Sequence, residues 1–146
     1  GMLCAGDIVV VTEDCKFALT ETTLGIPPAQ IAPFVSQRIG LAKARRIMLT
    51  AARFTGKEAH EMGLADFVAK DADDLKAIEA DIKKGVLKCA PGANAVTKEI
   101  VLATRHLTRK EMIEFAAKGF AERMLSDEGK EGISSFIEKR KPKWSK

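Results

Sequence analysis

The sequence has 146 residues, of which 46% are hydrophobic and 30% charged, and its formal net charge is +4. This length is about that of one domain, and the composition is typical of a soluble globular protein. No apolar run approaches the roughly eighteen residues that are needed to cross a bilayer. The aromatic content is only 5% and the sequence contains no recognised nucleic-acid-binding motif. We therefore expect neither a membrane nor a nucleic-acid partner.

Short strands are predicted near the start of the chain. Residues 7–11, DIVVV, form a β-branched run without polar alternation, which is typical of a strand buried on both faces. KFALT at 16–20 is a second candidate and ADFVA at 65–69 a third. Two short strands and a distant third leave sheet edges open, so we expect partner chains or a further N-terminal part to supply the missing surface.

Helices are predicted over most of the remaining sequence. Apolar residues recur at spacings of three and four in 41–51, and Thr55 with Glu58 predicts a capping box for a short helix that Gly63 closes. A last helix is predicted to begin at Asp127 and to end before Pro142. Three further apolar stripes each need a facing surface: Leu75, Ile78, Ile82 and Val86; Val96, Ile100, Ala103 and Leu107; and Ile113, Ala117, Phe120 and Met124.

Cysteine usage and the first residues bear on the cellular compartment. Cys4, Cys15 and Cys89 are an odd number without metal-ligand spacing, which favours free thiols in a reducing cytosol and no metal site. The first residues lack the basic start, apolar run and cleavage site of a signal peptide. The sequence therefore predicts a cytoplasmic protein.

The positive charge concentrates in the tail, residues 138–146, EKRKPKWSK, with cations at Lys139, Arg140, Lys141, Lys143 and Lys146. Such a tail either solubilises the chain without a specific partner or binds an anion, whether phosphate or nucleic acid. The absence of tyrosine and the low aromatic content argue against nucleic acid.

One carboxylate has an unusual setting. FALTETTLGIPP, residues 17–28, places Glu21 between a short apolar run and a loop stiffened by Gly25, Pro27 and Pro28. A lone glutamate in a loop is more often structural or solvated than catalytic. Acid/base catalysis, however, needs a carboxyl group held by a rigid frame within hydrogen-bond reach of the transferred proton.

Three segments, in the right order, resemble the C-terminal half of the crotonase superfamily, the enoyl-CoA hydratases and isomerases: AGDIVVVTEDCKFALTETTLGIPP, RRIMLTAARFTGKEAHEMGLADFV and SDEGKEGISSFIEKRKPKW. Three matched segments are more specific than any one of them, and together they cover nearly the whole chain. The resemblance implies a helix-rich α/β fold within one structural domain. In it, a partial crotonase-like ββα core at 1–69 is followed by C-terminal trimerisation helices at 70–146.

The resemblance also implies roles for three residues. Glu21 matches the second glutamate of the family, the general acid/base in F-x-x-P-E-x-x-L-G, although Thr20 stands where the family often has proline. Phe136 and Lys139 match the aromatic residue and the lysine that contact the adenine and 3′-phosphate of CoA, often from a neighbouring subunit. Phe136 could equally be a core residue. No metal or redox cofactor is implied, because the CoA thioester is the substrate.

The sequence departs from the family at its start. Members are nearly twice as long, and the part without a counterpart here holds an oxyanion-hole N–H and much of the CoA surface. Gly1 falls where many hydratases place the first catalytic glutamate. Gly1 is either a scar of tag removal before Met2 or part of the family's glycine-rich segment. We expect a truncated or split member of the family.

Two functions follow from the resemblance. In the first, the protein is an enzyme that hydrates a 2-enoyl-CoA, as a homotrimer or hexamer or with a complementing N-terminal chain. In the second, it is a catalytically inactive helical assembly or acyl-CoA-binding module, a split-gene remnant. The run TETTLGIPPAQIAPFV is similar to isohexenylglutaconyl-CoA hydratases and predicts an altered acyl pocket.

Overall fold

The computed structural model describes residues 1–145 and divides into two compact units, unit 1 from Gly1 to Asp81 and unit 2 from Ile82 onward. Lys146, the last cation of the predicted tail, lies outside the described residues. In chain order the elements are β1 (Val10–Thr12), β2 (Lys16–Ala18), α1 (Ala32–Ile39), α2 (Leu41–Leu49), β3 (Arg53–Thr55), α3 (Gly56–Glu61), β4 (Phe67–Ala69), α4 (Ala72–Val86), α5 (Pro91–Ala103), α6 (Arg109–Leu125) and α7 (Asp127–Ile137), with 3-10 turns at Met2–Ala5 and Glu21–Leu24.

The strands of unit 1 form two separate two-stranded sheets. β1 runs parallel to β4, with Val11 opposite Val68, and β2 runs antiparallel to β3, with Phe17 opposite Phe54. The two phenylalanine rings stack at a centroid distance of 5.3 Å. The three predicted strands are present but shorter, at 10–12, 16–18 and 67–69, and the first lies further along the chain than the predicted 7–11. β3 was not predicted, because three residues that begin with a charged arginine carry no periodic signal.

Unit 1 has a hydrophobic core. The core comprises Val9, Val11, Leu19, Val35, Ile39, Ala44, Ile47, Met48, Phe54, Ala59, Met62, Leu64 and Ala65. Gly56, the first residue of α3, allows the helix to approach β1 closely, since a Cβ there would lie 1.8 Å from the Thr12 carbonyl oxygen. The predicted capping box of α3 is confirmed: the Thr55 side chain accepts from the Glu58 N–H, and the Glu58 carboxylate accepts from the Thr55 N–H.

Arg38, near the end of α1, ties several segments of unit 1 together. Its Nε donates to the Leu64 carbonyl at 2.7 Å, its Nη1 to the Gly6 carbonyl at 3.0 Å and its Nη2 to Asp66 Oδ2 at 2.5 Å. Asp66 Oδ2 also accepts from the Val9 N–H at 2.7 Å. The side chain of Arg38 is only 13% exposed. Its hydrogen bonds are therefore partly shielded from water, which strengthens them.

The helix α1 was not predicted. The sequence suggests a loop before this position, stiffened by Gly25, Pro27 and Pro28. Pro33 is the second residue of the helix, where the backbone amide has no intrahelical acceptor and a proline therefore breaks no hydrogen bond. Gly40, at φ +80°, then separates α1 from α2.

Unit 2 contains α5, α6 and α7, and it buries far less of its surface. Thr108 and Glu111 form a capping box at the start of α6, and the Ser126 hydroxyl accepts from the Gly129 N–H at the start of α7. The predicted start of the last helix at Asp127 is confirmed. Among the described residues of this unit, only Ala103 and Ser135 are buried. The stripe on α6 stays open, with Ile113 63% and Phe120 68% exposed.

Residues 1–145 offer neither a membrane-spanning helix nor a metal-binding cluster. No helix there is both long enough and apolar enough to span a bilayer. Likewise, no group of three or more His, Cys, Asp or Glu side chains in that range is placed to hold a metal ion. All three cysteines are free thiols, as predicted.

Candidate active site

Glu21 begins the 3-10 turn that follows β2. Gly25, at φ +75°, ends the turn, and its N–H donates to the carbonyls of Glu21 and Thr22. Two bonds fasten the segment to the α2–β3 region: the Leu19 N–H donates to the Ala52 carbonyl at 3.1 Å, and the Thr22 hydroxyl donates to the Met48 carbonyl at 3.1 Å. The backbone at Glu21 is therefore held from both sides, as the sequence predicts.

The Glu21 side chain is half-buried, and its Oε2 is shielded from solvent with no hydrogen-bond partner within the described part of the chain. Only one other side-chain atom there, Arg123 Nε, is in the same state. An unpaired buried oxygen of this kind costs about 1–3 kcal/mol. Native structures pair most such atoms, and exceptions often mark a functional site or an external partner. A donor outside residues 1–145 would satisfy this oxygen.

Two cavities lie around the first residues and the start of α1. One, of about 290 Å³, is lined by Gly1, Met2, Ala5, Gln30, Ile31 and Phe34. Its wall includes three residues of the predicted acyl-pocket segment, Gln30, Ile31 and Phe34, while Glu21 is not among its lining residues. The other, of about 80 Å³, contains Cys4. Burial raises the pKa of the Cys4 thiol, although the N-terminal ammonium and Arg38 act the other way, so this thiol is no activated nucleophile.

Position 1 has no room for a side chain in this arrangement. A Cβ at Gly1 would lie 2.4 Å from Ile31 Cγ2. A glutamate at this position, as in many hydratases, would therefore require Ile31 to move. The first catalytic carboxylate that the resemblance implies therefore has no counterpart at position 1.

A larger cavity, of about 560 Å³, lies elsewhere in unit 1, between α2, β3 and α3. Its lining carries charges of both signs, from the cations Lys43, Arg46 and Arg53 and the carboxylates Glu58 and Glu61. Lys43 already donates to the Met62 carbonyl at 2.8 Å. The Glu58 carboxylate serves the helix cap, and the backbone N–H and hydroxyl of Thr55 lower its pKa. Lys43 and Glu58 are thus engaged with the backbone of unit 1, so the size of this cavity does not make it the active site.

Phe136 and Lys139 lie together at the end of α7. The Lys139 N–H donates to the Phe136 carbonyl at 3.3 Å, and the Phe136 side chain is 85% exposed. Phe136 is therefore not a core residue of the described chain. Lys139 has φ +54°, in the left-handed region that few residues other than glycine adopt. Its side chain has no hydrogen-bond or ion-pair partner among residues 1–145.

Glu131 organises the tail behind these two residues. Its Oε1 and Oε2 accept from Arg140 Nη1 at 2.6 Å and Nη2 at 3.0 Å, and Oε1 accepts from the Lys143 N–H at 3.0 Å. Arg140 Nε donates to Glu138 Oε2 at 2.6 Å. The bonds from the Arg140 guanidinium, ahead of those from Lys143, lower the pKa of Glu131 to about 2. We call Glu131, Glu138, Arg140 and Lys143 the clamp.

The structure thus brings two of the three predicted site residues together, Phe136 and Lys139 in unit 2, while Glu21 lies in unit 1. The clamp was not predicted. Glu131 and Arg140 are nine positions apart, and the chain reverses between them, so helical spacing gave no signal. The nearest available signal was the high density of opposite charges on both sides of residue 136.

Comparison with known proteins identifies the family. The profile of the enoyl-CoA hydratase/isomerase family matches residues 1–146. A peroxisomal Δ(3,5)-Δ(2,4)-dienoyl-CoA isomerase of Arabidopsis thaliana is 30% identical over 149 residues, which is 99% of this chain and 52% of the isomerase.

Two solved structures share the fold. Pseudomonas aeruginosa AtuE superposes with a TM-score of 0.97 at 46% identity, over 100% of this chain and 57% of AtuE. An enoyl-CoA hydratase/isomerase of Marinobacter aquaeolei superposes with a TM-score of 0.95 at 38% identity, over 99% of this chain and 55% of the other. The chain thus spans about half the length of the relatives it matches. It belongs to the enoyl-CoA hydratase/isomerase family, within the crotonase superfamily, and has the crotonase-like α/β fold.

Proposed function

We propose that this chain is the C-terminal half of an enoyl-CoA hydratase and that Glu21 is its general acid/base. The observation that carries the proposal is the buried Oε2 of Glu21, which lacks a hydrogen-bond donor among residues 1–145 and lies on a turn held from both sides. The proposed reaction is addition of water across the double bond of a 2-enoyl-CoA thioester. The proposed division of the chain is a core part at 1–69 followed by a helical oligomerisation region at 70–146.

In this mechanism Glu21 moves a proton between its carboxylate and either the water or the α-carbon of the substrate. A carboxylate with one oxygen lacking an internal donor is suited to accept a proton from an incoming water. The thioester oxygen, where negative charge develops, needs two backbone N–H donors, of which an amide near the start of this chain would supply one and the part of the family without a counterpart here the other. Each such donor contributes about 2.7–4 kcal/mol to the transition state, so a second segment would have to supply the missing one.

Phe136 and Lys139 are proposed to bind the adenine and the 3′-phosphate of the CoA moiety. The exposure of the Phe136 ring and the absence of a side-chain partner for Lys139 within the described residues support this assignment. An aromatic face suits a purine, and an ammonium group suits a phosphate. The substrate is therefore proposed to be an acyl-CoA, with an altered acyl pocket similar to that of isohexenylglutaconyl-CoA hydratases.

The decisive experiment measures hydration of crotonyl-CoA and of a branched enoyl-CoA through the loss of enoyl absorbance. Glu21→Gln should lower kcat by about 10²–10⁴-fold, the usual contribution of a general acid/base. Glu13→Gln, which removes an exposed carboxylate from the same unit, is the matched control and should leave kcat unchanged. If the unmodified chain hydrates either substrate and Glu21→Gln does so at an equal rate, the role of Glu21 is refuted. If the unmodified chain has no turnover, hydration by this chain alone is refuted.

A second function is favoured by a different observation, the exposed apolar surface of unit 2. In this case the chain is an inactive assembly or acyl-CoA-binding module, whose partner is a second copy or a complementing N-terminal chain. Sedimentation velocity should then show an oligomer without turnover, and Phe120→Glu should dissociate it. Lys118→Glu, on the same helix with an exposed cation, is the control for the added charge. A monomer at all concentrations would contradict self-assembly.

A further inference from the structure

We propose that the clamp is a positioning device: Glu131 and Arg140 hold the chain at Lys139 in its left-handed conformation, so that Lys139 can select ligands with a 3′-phosphate. The inference rests on the proposed function, because it takes the CoA role of Phe136 and Lys139 as given. It adds two residues, Glu131 and Arg140, that would touch no ligand and act through Lys139.

The backbone at Lys139 adopts a conformation that is unfavourable for a residue with a side chain. A residue with a side chain adopts the left-handed region only at a cost, and it stays there when the surrounding structure holds it. Lys139 has φ +54°, whereas the residue before it, Glu138, has the right-handed values of a helix end. The reversal of direction at Lys139 therefore needs support from contacts on its far side.

Contacts of Arg140, the residue after Lys139, supply this support. The Arg140 N–H donates to the Ser135 carbonyl at 3.0 Å, which closes the turn around Lys139. The Arg140 guanidinium then forms the paired bonds to Glu131 on α7, a carboxylate whose side chain is only 13% exposed. Two parallel N–H···O bonds fix direction as well as distance. The residue directly after Lys139 is thus anchored to the preceding helix.

A third contact extends the anchoring to the end of the tail. The Lys143 N–H donates to Glu131 Oε1, and the Trp144 indole N–H donates to the Lys88 carbonyl at 3.2 Å. The Trp144 ring also lies beside Gly132, where a Cβ would come within 3.3 Å of it. The tail on both sides of Pro142 is therefore docked rather than trailing in solvent.

The clamp also decides which cations remain available. Arg140 and Lys143 are both paired with Glu131, at 2.6 Å and 3.8 Å. Lys139 and Lys141 keep no side-chain partner among residues 1–145. Of the four described tail cations, two are thus committed internally and two are free for an anion. The backbone N–H of Lys139 donates to the carbonyl of the exposed Phe136, so the two residues share the end of α7, as a purine that carries a phosphate would require.

The test compares binding of adenosine 3′,5′-bisphosphate with binding of adenosine 5′-monophosphate by isothermal titration. The preference of the unmodified chain for the bisphosphate should be about tenfold, the value of one charge-assisted contact. Lys139→Gln and Arg140→Gln should each reduce this preference to within about twofold of none. Lys130→Gln is the matched control, since it removes an exposed cation from α7 without touching the clamp and should leave the preference intact.

Further variants separate the clamp from Lys139 itself and from folding. Glu131→Gln keeps the shape of the side chain but removes its charge, and it should lose the preference as Arg140→Gln does. Trp144 is the only tryptophan, so its emission reports whether the tail is docked, and far-UV circular dichroism reports the helices. If Glu131→Gln and Arg140→Gln lose the preference for the bisphosphate while their helix content is unchanged, the positioning role of the clamp is supported.

Two results would overturn the inference, and they differ in what they leave standing. If Lys139→Gln abolishes the preference but Arg140→Gln and Glu131→Gln retain it, the clamp has no positioning role while the assignment of Lys139 stands. If the unmodified chain has no preference, or Lys139→Gln keeps it, the CoA assignment of Lys139 fails and the inference fails with it.

Discussion

The two units of this chain solve the problem of stability differently. Of the fifteen buried hydrophobic residues within 1–145, fourteen lie in unit 1 and one, Ala103, lies in unit 2. Unit 2 instead displays exposed apolar side chains from the end of α4 through α7: Val86, Leu87, Val101, Leu102, Ile113, Phe115, Phe120, Met124, Leu125, Ile133, Phe136 and Ile137. Most helical stability comes from packing an apolar face, so helices that lack such packing depend on caps, ion pairs and an external surface.

Truncating a buried isoleucine in unit 1 should destabilise the chain far more than truncating an exposed isoleucine in unit 2. Ile47 in unit 1 is 2% exposed, and Ile47→Ala should lower the free energy of unfolding by about 2–5 kcal/mol, because it removes buried methylene groups and leaves a cavity. Ile113→Ala in unit 2 should cost less than about 0.5 kcal/mol, because Ile113 is exposed. Urea unfolding of both variants measures the difference. Equal costs would mean that the apolar face of unit 2 is covered in solution.

The next effect concerns the arginine that ties unit 1 together. Arg38→Gln should cost about 1–3 kcal/mol, because the carbonyls of Gly6 and Leu64 and the carboxylate of Asp66 lose their shared donor. The global change for Arg140→Gln should be smaller, since the Arg140 side chain is far more exposed than that of Arg38. Thermal melts of the two variants compare them. A larger loss from Arg140→Gln would show that unit 2 limits the stability of the chain.

A smaller effect compares the same device in both units. Thr55→Ala and Thr108→Ala each remove a capping box and should each cost about 1 kcal/mol. α3 rests on the buried residues Gly56 and Ala59, whereas α6 buries no residue along its length. Hydrogen exchange should therefore accelerate locally in the first turn of α6 for Thr108→Ala, while α3 stays protected in Thr55→Ala. Equal local fraying would contradict the difference between the units.

Much of this division could be predicted from local patterns, and the rest could not. The capping boxes at Thr55 and Thr108 and the helix start at Asp127 depend on residues three or four positions apart, so the sequence contains the whole signal. The bonds of Arg38 and Arg140 link distant positions and depend on how the chain folds back. Likewise, the setting of Glu21 was evident from its neighbours, but its unpaired oxygen depends on everything packed around it.

Within residues 1–145, two residues other than glycine adopt the left-handed conformation, one in each unit. Ala51 in unit 1 has φ +51° and Lys139 in unit 2 has φ +54°. Ala51→Gly should stabilise the chain by about 0.5–1 kcal/mol, because glycine adopts this conformation without a Cβ clash. Lys139→Gly should relieve the same strain but abolish selection of a 3′-phosphate. A loss of stability in Lys139→Gly would indicate that its side chain packs rather than binds.

The smallest expected effect is local and depends on pH. The paired bonds from Arg140, followed by the bond from Lys143, hold the pKa of Glu131 at about 2, below its ordinary value of 4.5. The folded form is therefore favoured by the ionised carboxylate, and this contribution is complete above about pH 4.5 and lost as the pH falls through about 2. Trp144 emission should shift as the tail undocks in this window, before the far-UV signal of the helices changes. In Glu131→Gln the shift should be absent, whereas Glu114→Gln, which removes an exposed carboxylate from α6, should retain it. If the emission and the far-UV signal change together in the unmodified chain, the tail unfolds with the helices, and the clamp does not act as a separate local element.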